Sequence, residues 1–269
     1  MEDRDRITSF INRCLDSENI KDRSLNGMQV EGRRAVKKIA FGVSASLELI
    51  RIAAAAGADM IIVHHGLLWD RPLRVRGPLR EKMELLVKNE ISLCAWHLPL
   101  DLHGRVGNNA RLLDILGAKK RRPFGIYEGE TIGFSGVLPA KKTAAQIAET
   151  ISVALAAIPD ACAGRGTRGR AGAAPRVICY NFGPKTVKTV GVVSGGAQGM
   201  FTQAIEAGLD LYITGEVSEF VQEMARENKI SFIAAGHYNT EKTGVGALAK
   251  LVSSRFKVQT LFIDIPNQA

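Results

Sequence analysis

The histidines are the residues of this chain whose placement first suggests chemistry. The sequence contains five of them, and His64 and His65 follow the apolar run Met60–Val63 and precede Gly66. Two adjacent imidazoles at the end of a buried strand would repel one another if protonated, whereas neutral rings bind a divalent cation. We therefore interpret this pair as metal ligands. We assign no chemistry to His103, because a core position explains it.

Two other histidines lie four residues before an acidic residue, in the pattern H-x-x-x-D/E. The predicted metal ligands are His64, His65, Asp101, His237 and Glu241. A catalytic mononuclear zinc takes three protein ligands, so five ligands with two carboxylates favour two divalent ions about 3.5–4 Å apart. These donors suit Zn, Fe, Mn, Co or Ni and do not distinguish among them. His97 would be a sixth ligand, and we expect it to support a ligand or to face the substrate as a catalytic residue.

Two further features each admit two interpretations. Gly195 and Gly196 lie between a predicted strand and a predicted helix, as in a loop that binds an anion of the substrate through its amides, or in a simple tight bend. Glu216 and Glu219 occur in TGEVSEF, which aligns with the end of the His64–His65 strand. Glu216 is a candidate catalytic base near the metals, or a surface residue.

Apolar runs and helical segments alternate along the chain, which predicts an α/β fold. Strands are predicted at Lys38–Val43, Met60–Val63 and Ile91–Ala95. Helices are predicted at Leu47–Ala56, Glu81–Asn89 and Ala110–Leu116. Asn108 or Asn109 is a candidate N-cap of the last helix, because a side-chain amide oxygen can accept from an N–H of the first turn.

The second half of the chain repeats the first at a spacing of about 140–150 residues, far longer than a solenoid period. The matched segments are Phe41–Ser46 with Val190–Gly196, Ala56–His65 with Ala207–Glu216, and Asn89–His97 with Asn228–His237. This repeat predicts two topologically similar α/β lobes, over residues 1–125 and 126–269. We expect the dinuclear metal site in the cleft that such lobes form.

Composition excludes several protein classes. With 46% hydrophobic and 23% charged residues among 269, the chain is neither disordered nor fibrous. No run reaches the roughly 18–20 uncharged apolar residues that span a bilayer, and the N-terminal MEDRDRITSF is too charged for a secretory leader. Four cysteines without a C-x-x-C pair favour reduced thiols. We therefore expect a cytoplasmic protein without a membrane partner.

The net charge of +9 is concentrated in the middle of the chain, since residues 119–188 carry 12 Lys or Arg and 4 Asp or Glu. This region includes the Gly- and Arg-rich stretch Ala163–Arg176. A solvated loop explains the stretch. The alternative is a basic arm that recruits a nucleotide phosphate or nucleic acid. No aromatic residue interrupts it to stack on bases, which disfavours nucleic acid.

Several motifs together resemble those of one known family. They are NGMQVEG (Asn26–Gly32), VHHGLLW (Val63–Trp69), WHLPLDLHGRVGNN (Trp96–Asn109), TGEVSEF (Thr214–Phe220), AAGHYNTEKTGV (Ala234–Val245) and FIDIPN (Phe262–Asn267). In this order they are similar to the Ngg-interacting-factor-three-like family, also called the dinuclear-metal-centre or GTP cyclohydrolase I type 2 family. The resemblance runs from about Asn26 to the C-terminus and is more specific than any single motif.

The resemblance implies two interlinked α/β lobes that together form one family domain, a two-metal cluster and a toroidal homohexamer. It places the metal ligands on the same five residues, His64, His65, Asp101, His237 and Glu241. The chain resembles the short members, which lack an extra inserted domain before the second half. The basic stretch Ala163–Arg176 departs from the family pattern.

The function that the resemblance implies is that of a metal-dependent hydrolase acting on a purine nucleotide. In GTP cyclohydrolysis, hydrolytic attack at C8 of guanine opens the imidazole ring and releases formate. One alternative is a broader hydrolase of phosphoesters or damaged nucleotides, which two metals also support. Another is a non-catalytic metal-binding scaffold that acts through partner contacts or nucleic acid, for which Arg165, Arg168 and Arg170 are the residues to test.

Overall fold

The computed structural model describes residues 1–157 and 176–267. The predicted basic arm, with Arg165, Arg168 and Arg170, lies outside the described residues. Within the two described ranges, no helix is both long and apolar enough to cross a membrane.

Helices and strands alternate along most of the chain. Up to residue 102 the elements are β1 (Glu2–Asp3), α1 (Arg4–Leu15), β2 (Gly27–Val30), β3 (Ala35–Val36), β4 (Lys38–Ser44), α2 (Leu47–Ala55), β5 (Met60–His65), α3 (Pro78–Lys88), β6 (Ser92–Ala95) and α4 (Leu98–Leu102). Beyond it they are α5 (Asn108–Ile115), β7 (Lys119–Tyr127), β8 (Glu130–Lys142), α6 (Ala144–Ala156), β9 (Ile178–Tyr180), β10 (Val187–Val192), α7 (Phe201–Glu206), β11 (Leu211–Thr214), α8 (Val221–Asn228), β12 (Ser231–Ala234), α9 (His237–Arg255) and β13 (Gln259–Phe262). The predicted α/β class is confirmed.

Two compact units divide these elements. The first comprises residues 1–100 and 245–265, and the second comprises residues 101–157, 176–244 and 266–267. The sequence-based division at residue 125 therefore differs from the structural one. The first unit ends at Leu100, and the segment after Gly244 returns to it because β13 pairs in parallel with β4. A return of this kind leaves no local signal in the sequence.

The first unit is built on a five-stranded sheet in the order β13-β4-β5-β6-β2. The first four strands are parallel, and β2 runs antiparallel to β6. Strands β4 and β5 are almost entirely buried, as the apolar runs that predicted them require. Ile50 of α2 and Leu86 of α3 pack with Ile61 and Leu93 of the sheet in one apolar core.

The second unit is built on a six-stranded sheet in the order β7-β8-β10-β11-β12-β9. Strands β10, β11 and β12 are parallel, whereas β7, β8 and β9 pair antiparallel with their neighbours. Its core joins Leu112 of α5 and Ile147 of α6 to Val190, Ile213 and Ile233 of the sheet. Helix α6 begins with a capping box, in which Thr143 and Gln146 satisfy one another's amides.

The internal repeat is visible in hydrogen bonds as well as in strand order. The parallel set β4-β5-β6 with antiparallel β2 corresponds to β10-β11-β12 with antiparallel β9. Asp59 Oδ2 accepts from the amides of Lys37 and Lys38, at 2.7 and 3.0 Å. Asp210 Oδ2 likewise accepts from the amides of Lys188 and Thr189, at 2.7 and 2.9 Å. Each carboxylate thus ties the start of one central strand to the next.

Candidate metal centre

In the first unit, three histidines lie at the carboxyl-terminal edge of the parallel sheet. Strand β5 ends with His64 and His65, and His97 follows the parallel strand β6. The ring centroid of His64 lies 4.6 Å from that of His65 and 5.0 Å from that of His97. One nitrogen atom of each ring lies within 4.8 Å of the other two, so the three rings form a group that can hold a metal ion. Adjacent residues reach one cluster here because the strand ends at His65.

Hydrogen bonds orient the paired histidines. His64 is fully buried, and its Nδ1 lies 3.0 Å from the carbonyl oxygen of Trp96. Because a carbonyl only accepts, Nδ1 donates the proton and Nε2 carries the lone pair. Nδ1 of His65 lies 3.2 Å from Oγ of Ser44. Anchoring through Nδ1 is typical of histidines that bind metals.

His97 is held by Asp22, a residue that the sequence patterns did not single out. The carboxylate of Asp22 is 2% exposed, and its Oδ1 accepts from Nδ1 of His97 at 3.0 Å. Burial alone would raise the pKa of Asp22, but the hydrogen bond and charge of His97, with donors from Asn26 and Ser24, lower this pKa to about 2. Asn26 Oδ1 also accepts from the amide of His97 at 2.8 Å.

The loop after His65 is fastened by Gln29. Its Oε1 accepts from the amides of Leu67 and Leu68, at 2.7 and 2.9 Å, and its Nε2 donates to the carbonyl of Leu68 at 3.1 Å. A Cβ atom on Gly66 would overlap this side-chain amide. The NGMQVEG motif therefore positions the loop that follows the paired histidines.

In the second unit, His237 and Glu241 lie one turn apart at the start of α9. His237 Nε2 lies 3.1 Å from Oε1 of Glu241, and His237 Nδ1 lies 2.6 Å from Oε1 of Glu216. Burial lowers the pKa of His237, but the hydrogen bonds and charges of Glu241 and Glu216 outweigh burial and raise it to about 9. The two carboxylates therefore favour positive charge at this position.

The loop after β10 packs tightly against this pair. A Cβ atom on Gly195 would lie 2.5 Å from Oε1 of Glu241 and 3.2 Å from Nε2 of His237, and the φ angle of Gly195 is +68°. The amide of Gly195 donates to Oγ1 of Thr240 at 3.0 Å, so it does not face an anion. A Cβ atom on Gly196 would lie 3.4 Å from the carboxylate of Glu216. The glycines permit the close approach of the loop, and substrate binding by them stays a prediction.

Asp101 lies in the same unit and is 6% exposed. Its Oδ1 accepts from Nδ2 of Asn108 at 2.8 Å and from Oγ of Ser194 at 3.0 Å. Asn108 Oδ1 in turn accepts from the amide of Gly244 in α9 at 2.7 Å. The expectation that an asparagine caps α5 is wrong, because Gly107 is the N-cap and the buried Asn108 amide binds Asp101 instead.

The predicted site residues thus form a group in each unit. The first unit contains His64, His65 and His97; the second contains Asp101, His237, Glu241, Glu216, Gly195 and Gly196. Glu216 orients His237, and its role as a catalytic base stays a prediction. His103 accepts two backbone amides through Nδ1 in its own turn, which is a structural role but not a core one.

Sequence reasoning missed Asp22, Gln29 and Ser194. Gln29 lies inside the NGMQVEG motif, and that motif was the available signal. Asp22 is a single polar residue without periodicity or pairing, so nothing local distinguishes it. Ser194 lies in the repeated segment Val190–Gly196, but the repeat does not show that its hydroxyl binds Asp101.

Comparison with known proteins identifies relatives along the whole chain. A family model for Duf34/NIF3 (NGG1p interacting factor 3) matches residues 2–268. A Pseudomonas aeruginosa protein named GTP cyclohydrolase 1 type 2 homolog is 41% identical over 259 residues, which cover 96% of this chain and 95% of that protein. A Pyrococcus abyssi protein of the same name is 39% identical over 265 residues, which cover 98% of this chain and 99% of that protein.

Solved structures agree with this assignment. The structure of protein ybgI, described as being of unknown function, aligns with a TM-score of 0.85 and 36% sequence identity and covers 100% of both chains. The match therefore extends to the full fold as well as the sequence. The chain belongs to the Duf34/NIF3 (NGG1p interacting factor 3) family.

Proposed function

We propose that this chain is a metal-dependent hydrolase that acts on a purine nucleotide, with GTP cyclohydrolysis as its reaction. The proposed ligands of two divalent ions are His64, His65, Asp101, His237 and Glu241. The observation that carries the proposal is the anchoring of His64 and of His237 through Nδ1, each within its own unit.

The residues present fit divalent ions of the zinc, iron or manganese type. Nδ1 of His64 donates to a carbonyl, which leaves Nε2 as the basic nitrogen. Glu241 and Asp101 are 3% and 6% exposed, and a buried carboxylate is stable only beside compensating positive charge or donors. Bound divalent ions would lower the pKa of water and stabilise negative charge that develops during hydrolysis.

The protein's own groups would hold and move protons. Glu216 fixes the ring of His237 through Nδ1. Asp22 does the same for His97, whose side chain is 21% exposed and whose Nε2 is left as the nitrogen that can exchange a proton with substrate. We therefore assign positioning roles to Glu216 and Asp22, and proton transfer to His97.

The name shared by the P. aeruginosa and P. abyssi relatives supports GTP as the first substrate to test. The purified chain is loaded separately with Zn, Mn and Fe and incubated with GTP and a panel of other nucleotides. Products are analysed by mass spectrometry, and formate is measured independently. The His64→Ala/His65→Ala double variant serves as the blank.

Ring-opened GTP with an equal amount of formate, both absent in the blank, supports the proposal. Release of phosphate with an intact purine ring would show that the chain is a phosphohydrolase and not a cyclohydrolase. Intact GTP with every metal contradicts cyclohydrolysis. We also propose the homohexameric assembly that the family resemblance implies, for which light scattering of the purified chain measures the mass.

A further inference from the structure

A second polar region of the first unit lies at the amino-terminal ends of its parallel strands, at the edge opposite His64 and His65. Strands β4 and β13 begin there at Lys38 and Gln259, and helix α9 ends there at Arg255. They border a cavity of about 910 Å³. This volume is within the range of small-molecule sites, which is about 300–1,000 Å³.

Positive charge dominates this cavity. Its lining includes four basic residues, Lys37, Lys38, Arg255 and Lys257. Among the lining residues that the structure describes, Asp59 is the single acidic one. The carboxylate of Asp59 already accepts from the amides of Lys37 and Lys38 and from the guanidinium of Arg33, so it is engaged within the protein. It therefore compensates little of the charge on the lysine and arginine side chains.

The cations of the cavity are little compensated by other groups. Lys38 Nζ donates to the carbonyl oxygen of Ala56 at 2.6 Å, a neutral partner that ends helix α2. Lys37, Arg255 and Lys257 are exposed, and no carboxylate of residues 1–157 or 176–267 forms a salt bridge with them.

An adjacent cavity of about 500 Å³ provides a contrast. It is also rich in arginine and shares Arg255 with the first, but two of its other arginines are paired with carboxylates. Arg34 binds Asp3 at 2.8 Å, and Arg6 lies 3.7 Å from Glu2. Part of the charge on this face is therefore compensated within the protein, in contrast to the charges of Lys37 and Lys257 in the larger cavity.

We infer that the larger cavity binds a small anion with two or more phosphate groups, such as an inorganic or organic di- or triphosphate. Lysine ammonium groups bind phosphate as point charges, and several of them favour a ligand with several negative charges over a single carboxylate. This inference does not depend on the proposed function, because the cavity lies at the opposite edge of the sheet from the histidines.

Calorimetric titration with inorganic tripolyphosphate, at low and at moderate salt, tests the inference. The variant is Lys37→Gln/Lys257→Gln, which removes two exposed charges without touching the core. The matched control is Lys188→Gln, because Lys188 occupies the position of Lys37 in the second unit, with its amide on Asp210. The His64→Ala/His65→Ala variant separates this cavity from the proposed metal centre.

The expected result is binding by the wild type and by the Lys188 and histidine variants, with affinity at least about tenfold lower in Lys37→Gln/Lys257→Gln. Equal affinity in the lysine variant, loss of binding in the histidine variant, or no binding at about 1 mM would overturn the inference. If a single-stranded oligonucleotide binds more tightly than tripolyphosphate, and the Lys37→Gln/Lys257→Gln variant loses this binding, the ligand of the cavity is nucleic acid. That result would overturn the inference of a small ligand. Arg255→Gln provides a second variant if the double variant unfolds at a lower temperature.

Discussion

At the scale of single residues, the carboxylate of Asp22 explains how His97 is held. Each oxygen of this carboxylate accepts two hydrogen bonds. Oδ1 binds His97 and the amide of Ser24, and Oδ2 binds Asn26 and the amide of Leu98. An asparagine at this position has one NH₂ group in place of an oxygen. In either orientation of the amide, this NH₂ group would face two hydrogen-bond donors and could accept from neither.

We therefore expect Asp22→Asn to lower the free energy of unfolding by about 1–3 kcal/mol, because buried donors lose their acceptor. Urea denaturation of the metal-depleted protein at pH 7 measures the loss. Asp70→Asn, at an exposed carboxylate, is the control and should change the stability little. Equal stabilities of the two variants would show that the hydrogen bonds of Asp22 contribute nothing net.

The same residue predicts a dependence of stability on pH. The pKa of Asp22 falls from an ordinary value of 3.8 to about 2 in the folded chain. A lowered pKa stabilises the fold at pH values above the unfolded pKa, and this contribution is lost as pH falls from about 4 to about 2. In that range the wild type should lose about 2 kcal/mol more than Asp22→Asn. Parallel stability curves for the two proteins would contradict the assignment.

Cys94 is a second residue whose environment sets its reactivity. It is fully buried in β6, and burial raises the pKa of its thiol to about 12. The reactive species is the thiolate, so we expect no alkylation of Cys94 by iodoacetamide at pH 8 in the native protein, whereas the half-buried Cys14 reacts. Peptide mass spectrometry measures both sites. Labelling of Cys94 as fast as Cys14 would mean that the strand opens readily.

At the scale of elements, apolar period and length predicted the central strands well. The predicted strand Met60–Val63 is the core of β5, since a buried parallel strand is apolar at every position. Strand β7 was not predicted, because its first residues, KKRR, contain no apolar residue, and only pairing with β8 makes them part of a strand. Asn108 was misassigned because a local pattern cannot show that its partner is Asp101.

The loop after β10 gives a prediction with a matched control. Gly195→Ala places a methyl group 2.5 Å from Oε1 of Glu241, at a φ angle of +68°. Gly208→Ala carries the same backbone strain, at +62°, with nothing within 4 Å of the added atom. Backbone strain should cost both variants about 1 kcal/mol of stability, and Gly195→Ala should lose more because its methyl group overlaps Glu241. Only Gly195→Ala should also bind less metal, as measured by plasma mass spectrometry, because Glu241 is displaced. Equal metal contents would show that the loop does not constrain Glu241.

At the scale of the whole molecule, the proposed metal centre predicts how many ions the chain binds. Glu241 is the candidate bridge between two ions, because it is a buried carboxylate whose neighbour His237 is another proposed ligand. We expect Glu241→Ala to lose at least one metal ion per chain, since two cations would be left poorly neutralised. Glu219→Ala is the control from the same unit. Unchanged metal content in Glu241→Ala would remove this residue from the ligands.

Removal of the proposed metal ions should not unfold the chain. Each unit has an apolar core of its own, and none of the five proposed ligands belongs to either core. The chain therefore differs from small zinc domains, in which metal binding supplies the folding free energy. Treatment with EDTA should leave the far-ultraviolet circular dichroism unchanged at 25 °C but lower the melting temperature, because a ligand at about 100 times its Kd stabilises the native state by about 2.7 kcal/mol. The His64→Ala/His65→Ala variant should show a smaller shift on treatment. Loss of the helical signal on chelation would mean that the cores alone are insufficient and that the metals are structural.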